Sequence, residues 1–147
     1  MAVAEKVKTI EELEEKLAGH CVGTDGYHQV SPFVRSFLVT DGVKHFAELA
    51  GAYWLLDEIA LHLKEMFKTD NTFLVVRVTS NKKQNGSSSA DIKVYEDYDS
   101  EETEEENDKN YLVYKKHIGY TDLVNGTHKF YLQRQAGMVI CLLPIEY

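Results

Sequence analysis

The sequence predicts an α+β fold in which N-terminal helices pack on a C-terminal antiparallel sheet of four to five strands. Apolar residues recur every three or four positions in the first half of the chain, and after residue 70 they alternate with polar ones. The segments between the predicted strands contain none of the crossover helices that parallel pairs need. At 147 residues the chain is expected to form a single domain, 1–147.

Three helices are predicted, over residues 9–18, 42–50 and 52–67. Thr9 is suited to cap the first helix and Asp41 the second, because short polar side chains bond the free amides of a helix's first turn. The third helix carries a broad apolar stripe at helical spacing, formed by Ala52, Leu55, Leu56, Ile59, Leu63, Met66 and Phe67.

The second half is predicted to contain alternating strands, with an extended piece also expected in "FVRSFLV" (33–39). Two connections between strands, 80–90 and 98–110, are expected to be flexible loops, because one is rich in Ser, Asn, Gly and Lys and the other in acidic residues. The predicted strands are 72–79, 91–97, 111–118, 128–135 and 137–144.

The acidity of the chain is concentrated in one tract. The net charge is −8, from 24 acidic and 16 basic residues, and nine of the acidic residues lie in "EDYDSEETEEEND" (96–108). The rest of the chain is close to neutral and has no basic cluster, which argues against binding of nucleic acid through its phosphates. The tract suits electrostatic contact with a basic partner surface, although a solvated loop without a function is the simpler interpretation.

The compartment is expected to be the cytoplasm. Residues 1–8 and those that follow contain no apolar run typical of a signal peptide, and no segment is long enough and apolar enough to span a membrane. Cys21 and Cys141 are far apart in sequence and have no metal-ligand spacing around them, which is typical of reduced thiols.

Catalytic and metal-binding motifs are not found in the sequence. There is no phosphate-binding loop, nucleophile elbow, HExxH or CxxC motif, and no cofactor or metal is predicted. Glu58, His62 and Glu65 share a helix face, where carboxylate and imidazole could share a metal, but this face lies opposite much of the apolar stripe, so we favour a solvated group. Asp57 is expected to be buried among apolar neighbours. It would then either anchor a loop backbone, which we favour, or act as an acid or base in a cleft.

Several segments together resemble an uncharacterised family found mainly in bacteria, notably cyanobacteria, and in phages and mobile elements. Its members typically read GTE-x-YY, YTDGV, GAYWLLDAIA, a late YTD and LPSEY. Here Asp25 and Gly26 follow the first GT, His28 stands at a Tyr position, and Ile145 replaces a Ser. The matching segments are "GTDGYH" (23–28), "VTDGVKHFAELAGAYWLLDEIA" (39–60), "IGYTDL" (118–123) and "CLLPIEY" (141–147).

The resemblance implies a set of candidate site residues but no chemistry. They form either a hydrogen-bonded scaffold, which we favour, or one pocket, if the "GT", "TDG" and "YTD" turns converge on the third helix. The candidates for binding are Thr24, Tyr27, Asp41, Tyr53, Trp54, Asp57 and Asp122.

Three hypotheses for function follow. The first is a non-enzymatic protein that binds a partner protein, as an accessory or anti-defence factor of a phage or mobile element. The second is a small-molecule-binding protein or hydrolase with a pocket around Thr24, Tyr53, Trp54 and Asp57. The third is a homo-oligomer that associates through a sheet edge or exposed aromatic side chains.

Overall fold

The computed structural model describes residues 9–68 and 70–147 and shows an α+β fold. Residues 1–8, where no signal peptide is predicted, and Thr69, beyond the end of the third predicted helix, lie outside the described part. The helices of the described part are α1 (Ile10–Leu17), α2 (Asp41–Ala50), α3 (Tyr53–Leu61), α4 (Leu63–Met66) and α5 (Glu104–Tyr111). Its strands are β1 (Tyr27–His28), β2 (Phe37–Thr40), β3 (Phe73–Lys82), β4 (Ser88–Tyr95), β5 (Leu112–Thr121), β6 (Gly126–Gln135) and β7 (Met138–Leu142).

The seven strands form one sheet in the order β1-β2-β7-β6-β3-β4-β5. The prediction of an antiparallel sheet of four to five strands is therefore wrong in strand number and in one pairing. The two short N-terminal strands join the sheet, and β2 pairs in parallel with β7. A parallel pair needs a long connection, and the chain between β2 and β7 supplies one that includes four helices and four strands.

One face of the sheet carries the main core. Along β3, Leu74, Val76 and Val78 are fully buried, while the residues between them are half-buried on the opposite face. Their neighbours in the core include Phe46 of α2 and Ile59 of α3. This strict alternation matches the period-two pattern by which the strands are predicted, since successive side chains of a strand point to opposite faces.

The first two predicted helices are confirmed to within two residues. Thr9 caps α1, its hydroxyl oxygen accepting a hydrogen bond from the Glu12 amide at 3.2 Å. Thr40, and not Asp41, caps α2, its hydroxyl oxygen accepting from the Val43 amide at 3.3 Å. Asp41 instead enters the first turn, where its carboxylate is directed to another part of the chain.

The third predicted helix, 52–67, is interrupted at His62. The imidazole Nδ1 of His62 lies 2.8 Å from the Glu58 carbonyl oxygen, which the backbone amide of His62 would bond in a continuous helix. That amide bonds the Ile59 carbonyl at 3.2 Å instead, so the turn tightens and α3 ends.

Both predicted loops contain regular structure. Strand β3 runs to Lys82 and β4 begins at Ser88, so residues 83–87 alone connect them. Helix α5 occupies most of 98–110. A lysine on β4, Lys93, offsets the repulsion among the carboxylates of α5 by pairing with two of them. No helix in the described part of the chain has the length and apolarity to cross a membrane.

Candidate functional site

The "GT" and "TDG" turns meet at the amino end of α2. The Thr24 hydroxyl oxygen accepts a hydrogen bond from the Asp41 amide at 2.9 Å and donates one to the Gly26 carbonyl at 2.7 Å. In return, the Asp41 carboxylate accepts from the Asp25 amide at 2.9 Å. Two turns that are separated by 17 positions in sequence are thus joined through short polar side chains.

His28 on β1 completes this cluster. Its Nε2 lies 2.6 Å from the second carboxylate oxygen of Asp41. The hydrogen bond from His28, followed by that from the Asp25 amide, lowers the pKa of Asp41 below its ordinary value of 3.8. Asp41 is therefore held as an anion, which also suits its place in the first turn of a helix.

Glu146, near the carboxyl end of the chain, is the residue of this cluster that the sequence analysis missed. Its carboxylate accepts hydrogen bonds from the Thr40 hydroxyl at 2.5 Å, the Gly42 amide at 3.1 Å and the Leu143 amide at 2.9 Å. The available signal was its position in "LPIEY", which belongs to the segments that resemble the family. Because Glu146 fills the amino end of α2, no free anion site remains there.

A pocket of about 270 Å³ adjoins this cluster on the face of the sheet opposite the main core. Two side-chain amides, four hydroxyl groups, one carboxylate and two aliphatic side chains line it, so it can offer both hydrogen bonds and apolar contact. Its lining residues are Thr24, Tyr27, Thr40, Gln133, Gln135, Ile140, Leu142, Glu146 and Tyr147.

The arrangement does not favour catalysis by a nucleophile. The Thr24 hydroxyl is engaged with backbone groups, and the group that His28 contacts is the Asp41 carboxylate and not a hydroxyl or thiol. A hydrolase of the serine type needs a hydroxyl or thiol that hydrogen-bonds the imidazole and is free to attack. Within residues 9–68 and 70–147, no group of three or more His, Cys, Asp and Glu side chains is placed to bind a metal ion.

The three candidates on α3 lie away from this pocket's lining. Tyr53 is 40% exposed, and its hydroxyl donates to the Glu48 carboxylate at 3.4 Å. Trp54 is half-buried against the core. The prediction that Asp57 is buried is wrong, because Leu56 and Ile59 occupy the covered side of α3 and Asp57 is exposed.

Glu58, predicted to be solvated, is instead half-buried at the centre of a polar group. It pairs with Lys116 at 2.7 Å and His62 at 3.3 Å, and it accepts from the Tyr114 hydroxyl at 3.0 Å. Burial raises the pKa of Glu58, but the hydrogen bonds from Lys116 and Tyr114 outweigh this effect, so the pKa lies below 4.5. The contacts tie α3 to one face of β5.

The "YTD" turn does not join the other two turns. Its Thr121 ends β5, which forms the opposite edge of the sheet from β1 and β2. The Thr121 hydroxyl oxygen accepts from the Leu123 amide at 3.1 Å, and Asp122 is exposed. Of the predicted site residues, Thr24, Tyr27 and Asp41 therefore lie together, and Asp122 lies at a distant edge.

The acidic tract forms a second candidate surface on α5 and the turn before it. Thr103 caps the helix, and the fully buried Asn107 side chain bonds the backbone of Asp99 and Thr103. Lys93 pairs with Glu104 at 3.2 Å and with Asp108 at 2.6 Å, which holds α5 on the sheet. We define the acidic surface as the exposed side chains of Glu101, Glu104, Glu105 and Glu106.

Comparison with known proteins identifies a family over nearly the whole chain. Residues 11–147 match the model described as "Family of unknown function (DUF6876)". Neither the curated proteins nor the solved structures contain a match. With its fold and its matched segment established, the chain belongs to this family of unknown function, DUF6876.

Proposed function

We propose that this protein is non-enzymatic and binds a partner macromolecule with a basic surface through the acidic surface on α5. The observation that carries this proposal is that the acidic tract folds into a capped helix attached to the sheet. Carboxylates held in fixed positions lose less conformational entropy on binding than those of a mobile loop.

The anchoring of the tract supports this proposal. Asn107 has no exposed surface and makes three hydrogen bonds to the backbone of Asp99 and Thr103. A tract that served only to keep the protein soluble would need no such attachment, because its charge alone is enough for that role. The attachment instead sets the spacing of the glutamates that face solvent.

The distribution of charge gives the contact its direction. Lys93 contacts α5 from the sheet side, where it pairs with Glu104 and Asp108. Glu101, Glu105 and Glu106 are exposed to solvent. These like charges, on α5 and the turn before it, attract a basic partner over a distance of about 8 Å at physiological salt.

The biological setting belongs to the same proposal. A bacterial or phage origin, and a role as an accessory or anti-defence factor of a mobile element, rest on the motif resemblance. A cytoplasmic location is supported by Cys21 and Cys141, which are both free thiols.

The proposal is tested by capture of partners from a lysate of the organism that encodes the protein. The wild-type protein is compared with a variant carrying Glu105→Gln and Glu106→Gln, and with a matched variant carrying Glu11→Gln and Glu15→Gln on the exposed side of α1. We expect the wild type and the α1 variant to retain a salt-sensitive partner that the α5 variant loses. Equal capture by all three proteins, or capture that does not change between low and high salt, would reject the acidic surface.

The 270 Å³ pocket supports a second candidate function, the binding of a small polar molecule. The side-chain amides of Gln133 and Gln135 converge there with the phenol of Tyr27 and the ring of Tyr147. Such groups suit an uncharged, planar ligand with hydrogen-bonding edges, for example a nucleoside.

A thermal-shift screen of nucleosides tests this second function. Tyr27 is 56% exposed, so Tyr27→Ala is expected to abolish a shift without lowering the melting temperature of the free protein. A shift that survives this substitution would place the ligand elsewhere, and the absence of any shift would reject nucleosides as ligands.

A further inference from the structure

Strand β6 has an edge that is half unpaired. It pairs with β3 from Gly126 to Gln133, but with β7 only from Tyr131 onward, because β7 ends at Leu142 opposite Tyr131. In the described part of the chain, residues 127–130 therefore have a strand neighbour on one side alone. Alternate residues of a strand direct their backbone N–H and C=O groups to each side, so some of these groups face the open edge.

A groove of about 610 Å³ runs between this edge and α1. At Gly126 the side chain of Ile10 closes the approach, since a Cβ atom at Gly126 would lie 2.5 Å from the Ile10 Cδ1. Beyond that point the groove is open beside residues 127–130. Apolar side chains form most of its walls, among them Leu13, Leu17, Phe46, Phe130, Leu143 and Ile145.

The basic and acidic groups that line the groove lie on different walls. Arg77 and Lys129 are paired across β3 and β6 and also line the groove, on the face opposite Phe130. The guanidinium of Arg77 packs over the ring of Tyr98, and its Nη1 donates to the Tyr98 hydroxyl, so Lys129 is the basic group that is left exposed on this side. Glu14, on the α1 wall, is the carboxylate that lines the groove, and it disfavours a negative group on that side.

We infer that residues 127–130 of β6 receive an extended segment of a partner protein as an added strand. The segment alternates apolar and acidic residues. Its apolar side chains enter the groove beside Phe46 and Phe130, and its acidic side chains point to the other face, toward Lys129. The paired length is four residues, about 14 Å at the rise of a strand.

The open backbone favours a peptide over a fatty acid of matching charge. An alkyl chain along this edge would take water away from the free N–H and C=O groups of β6 without replacing its hydrogen bonds. Such burial costs about 1–3 kcal/mol for each group. An added strand supplies partners for the same groups and still fills the apolar walls.

This surface is separate from the acidic surface on α5. Helix α5 is attached to β4 through Lys93 and Tyr95, whereas the open edge beside the groove belongs to β6, which is separated from β4 by β3. The inference therefore does not rest on the proposed function, and either can fail without the other.

The test uses a fluorescent six-residue peptide in which valine and glutamate alternate, measured by fluorescence anisotropy with the full-length protein. We expect saturable binding, and about tenfold weaker binding by Lys129→Glu, since reversing one contacting charge replaces an attraction by a repulsion. Lys115→Glu, on the exposed part of β5, is the matched control and is expected to bind as the wild type does. A peptide with lysine in place of glutamate is expected to prefer the Lys129→Glu variant.

The contribution of backbone hydrogen bonds is tested with two N-methylated peptides. The first carries N-methyl groups on the residues whose amides face one edge of the extended peptide, and the second carries them on the residues whose amides face the other edge. One of the two is expected to lose binding, because one edge of the peptide faces β6. Equal affinity of both for the protein would overturn strand addition. Strand addition would also be overturned if the groove bound dodecanoate but not the peptide. It would likewise be overturned if light scattering showed a dimer that the Lys129→Glu substitution dissociates.

Discussion

The carboxylate of Glu146 accepts a hydrogen bond from the backbone amide of Gly42 at 3.1 Å, across 104 positions of sequence. The C-terminal turn therefore closes the amino end of α2, where four amides lack partners within the helix. The contact explains the glycine, because a Cβ atom at position 42 would lie 2.6 Å from the carboxyl carbon of Glu146.

We expect Gly42→Ala to lower the free energy of unfolding by about 2 kcal/mol, because hydrogen bonds to the displaced carboxylate are lost. Urea unfolding followed by circular dichroism measures the change. Gly119→Ala is the control, since a Cβ atom there meets nothing within 4 Å, and its effect is expected to stay below about 0.5 kcal/mol. Equal effects of the two substitutions would contradict the role of Glu146.

The ion pair between Glu58 and Lys116 is expected to couple α3 to β5. A double-mutant cycle with Glu58→Gln and Lys116→Met should give a coupling energy of about 1 kcal/mol, because Lys116 is 43% exposed and solvent screens the pair. The pKa of Glu58 is lower in the folded protein than in the unfolded chain. Its contribution to stability is therefore complete above pH 4.5 and is lost as the pH falls through the lower pKa of the folded state. A coupling energy that does not change between pH 7 and pH 3 would contradict this assignment.

His128 is expected to make the fold sensitive to mild acid. Burial lowers its pKa below 6.5, although a hydrogen bond between its Nε2 and the Val124 carbonyl at 2.7 Å opposes this effect. The unfolded chain thus binds a proton before the folded one does, so stability is complete above pH 6.5 and falls as the pH falls below it.

His128→Gln, whose side-chain amide can still donate to Val124, should show a flatter dependence of the urea midpoint on pH between 7 and 5. Because burial, followed by the charge of His20, also lowers the pKa of His45, part of the slope should remain and should fall again on adding His45→Gln. An unchanged slope in both variants would refute the assignment.

The two thiols are expected to differ sharply in reactivity. Cys21 is exposed, whereas Cys141 lies in β7 with no exposed surface, and burial raises the pKa of its thiol. A thiol reagent should therefore titrate one cysteine in the native protein and two in denaturant. Rapid native reaction of both would show that Cys141 is not buried in β7.

The sequence predicted best what depends on neighbours in the chain. The cap of α1 by Thr9 and the alternation of buried residues in β3 could be predicted, because helix caps and side-chain periodicity depend on residues only a few positions apart. The charge pattern also located the acidic tract. It did not reveal that the tract would fold into α5, because Lys93 lies outside the tract and Asn107 bonds backbone groups of Asp99 and Thr103 that become its neighbours only on folding.

The candidate site was predictable only in part for the same reason. Thr24 and Asp41 were recognisable as turn residues, and the structure places them in one cluster. Asp57 was misjudged because apolar neighbours in sequence do not show which side of a helix is covered.

The sequence by itself determined the class of the fold, most helix and strand positions, and the local concentration of negative charge. These follow from propensity, period and composition, which are local properties of the chain. The tertiary structure decided that β2 would pair with β7, that Glu146 would cap α2, and that β6 would keep an open edge at 127–130. Each of these depends on bringing distant segments together, and the free energy of such contacts is set by the packed core and not by any one segment.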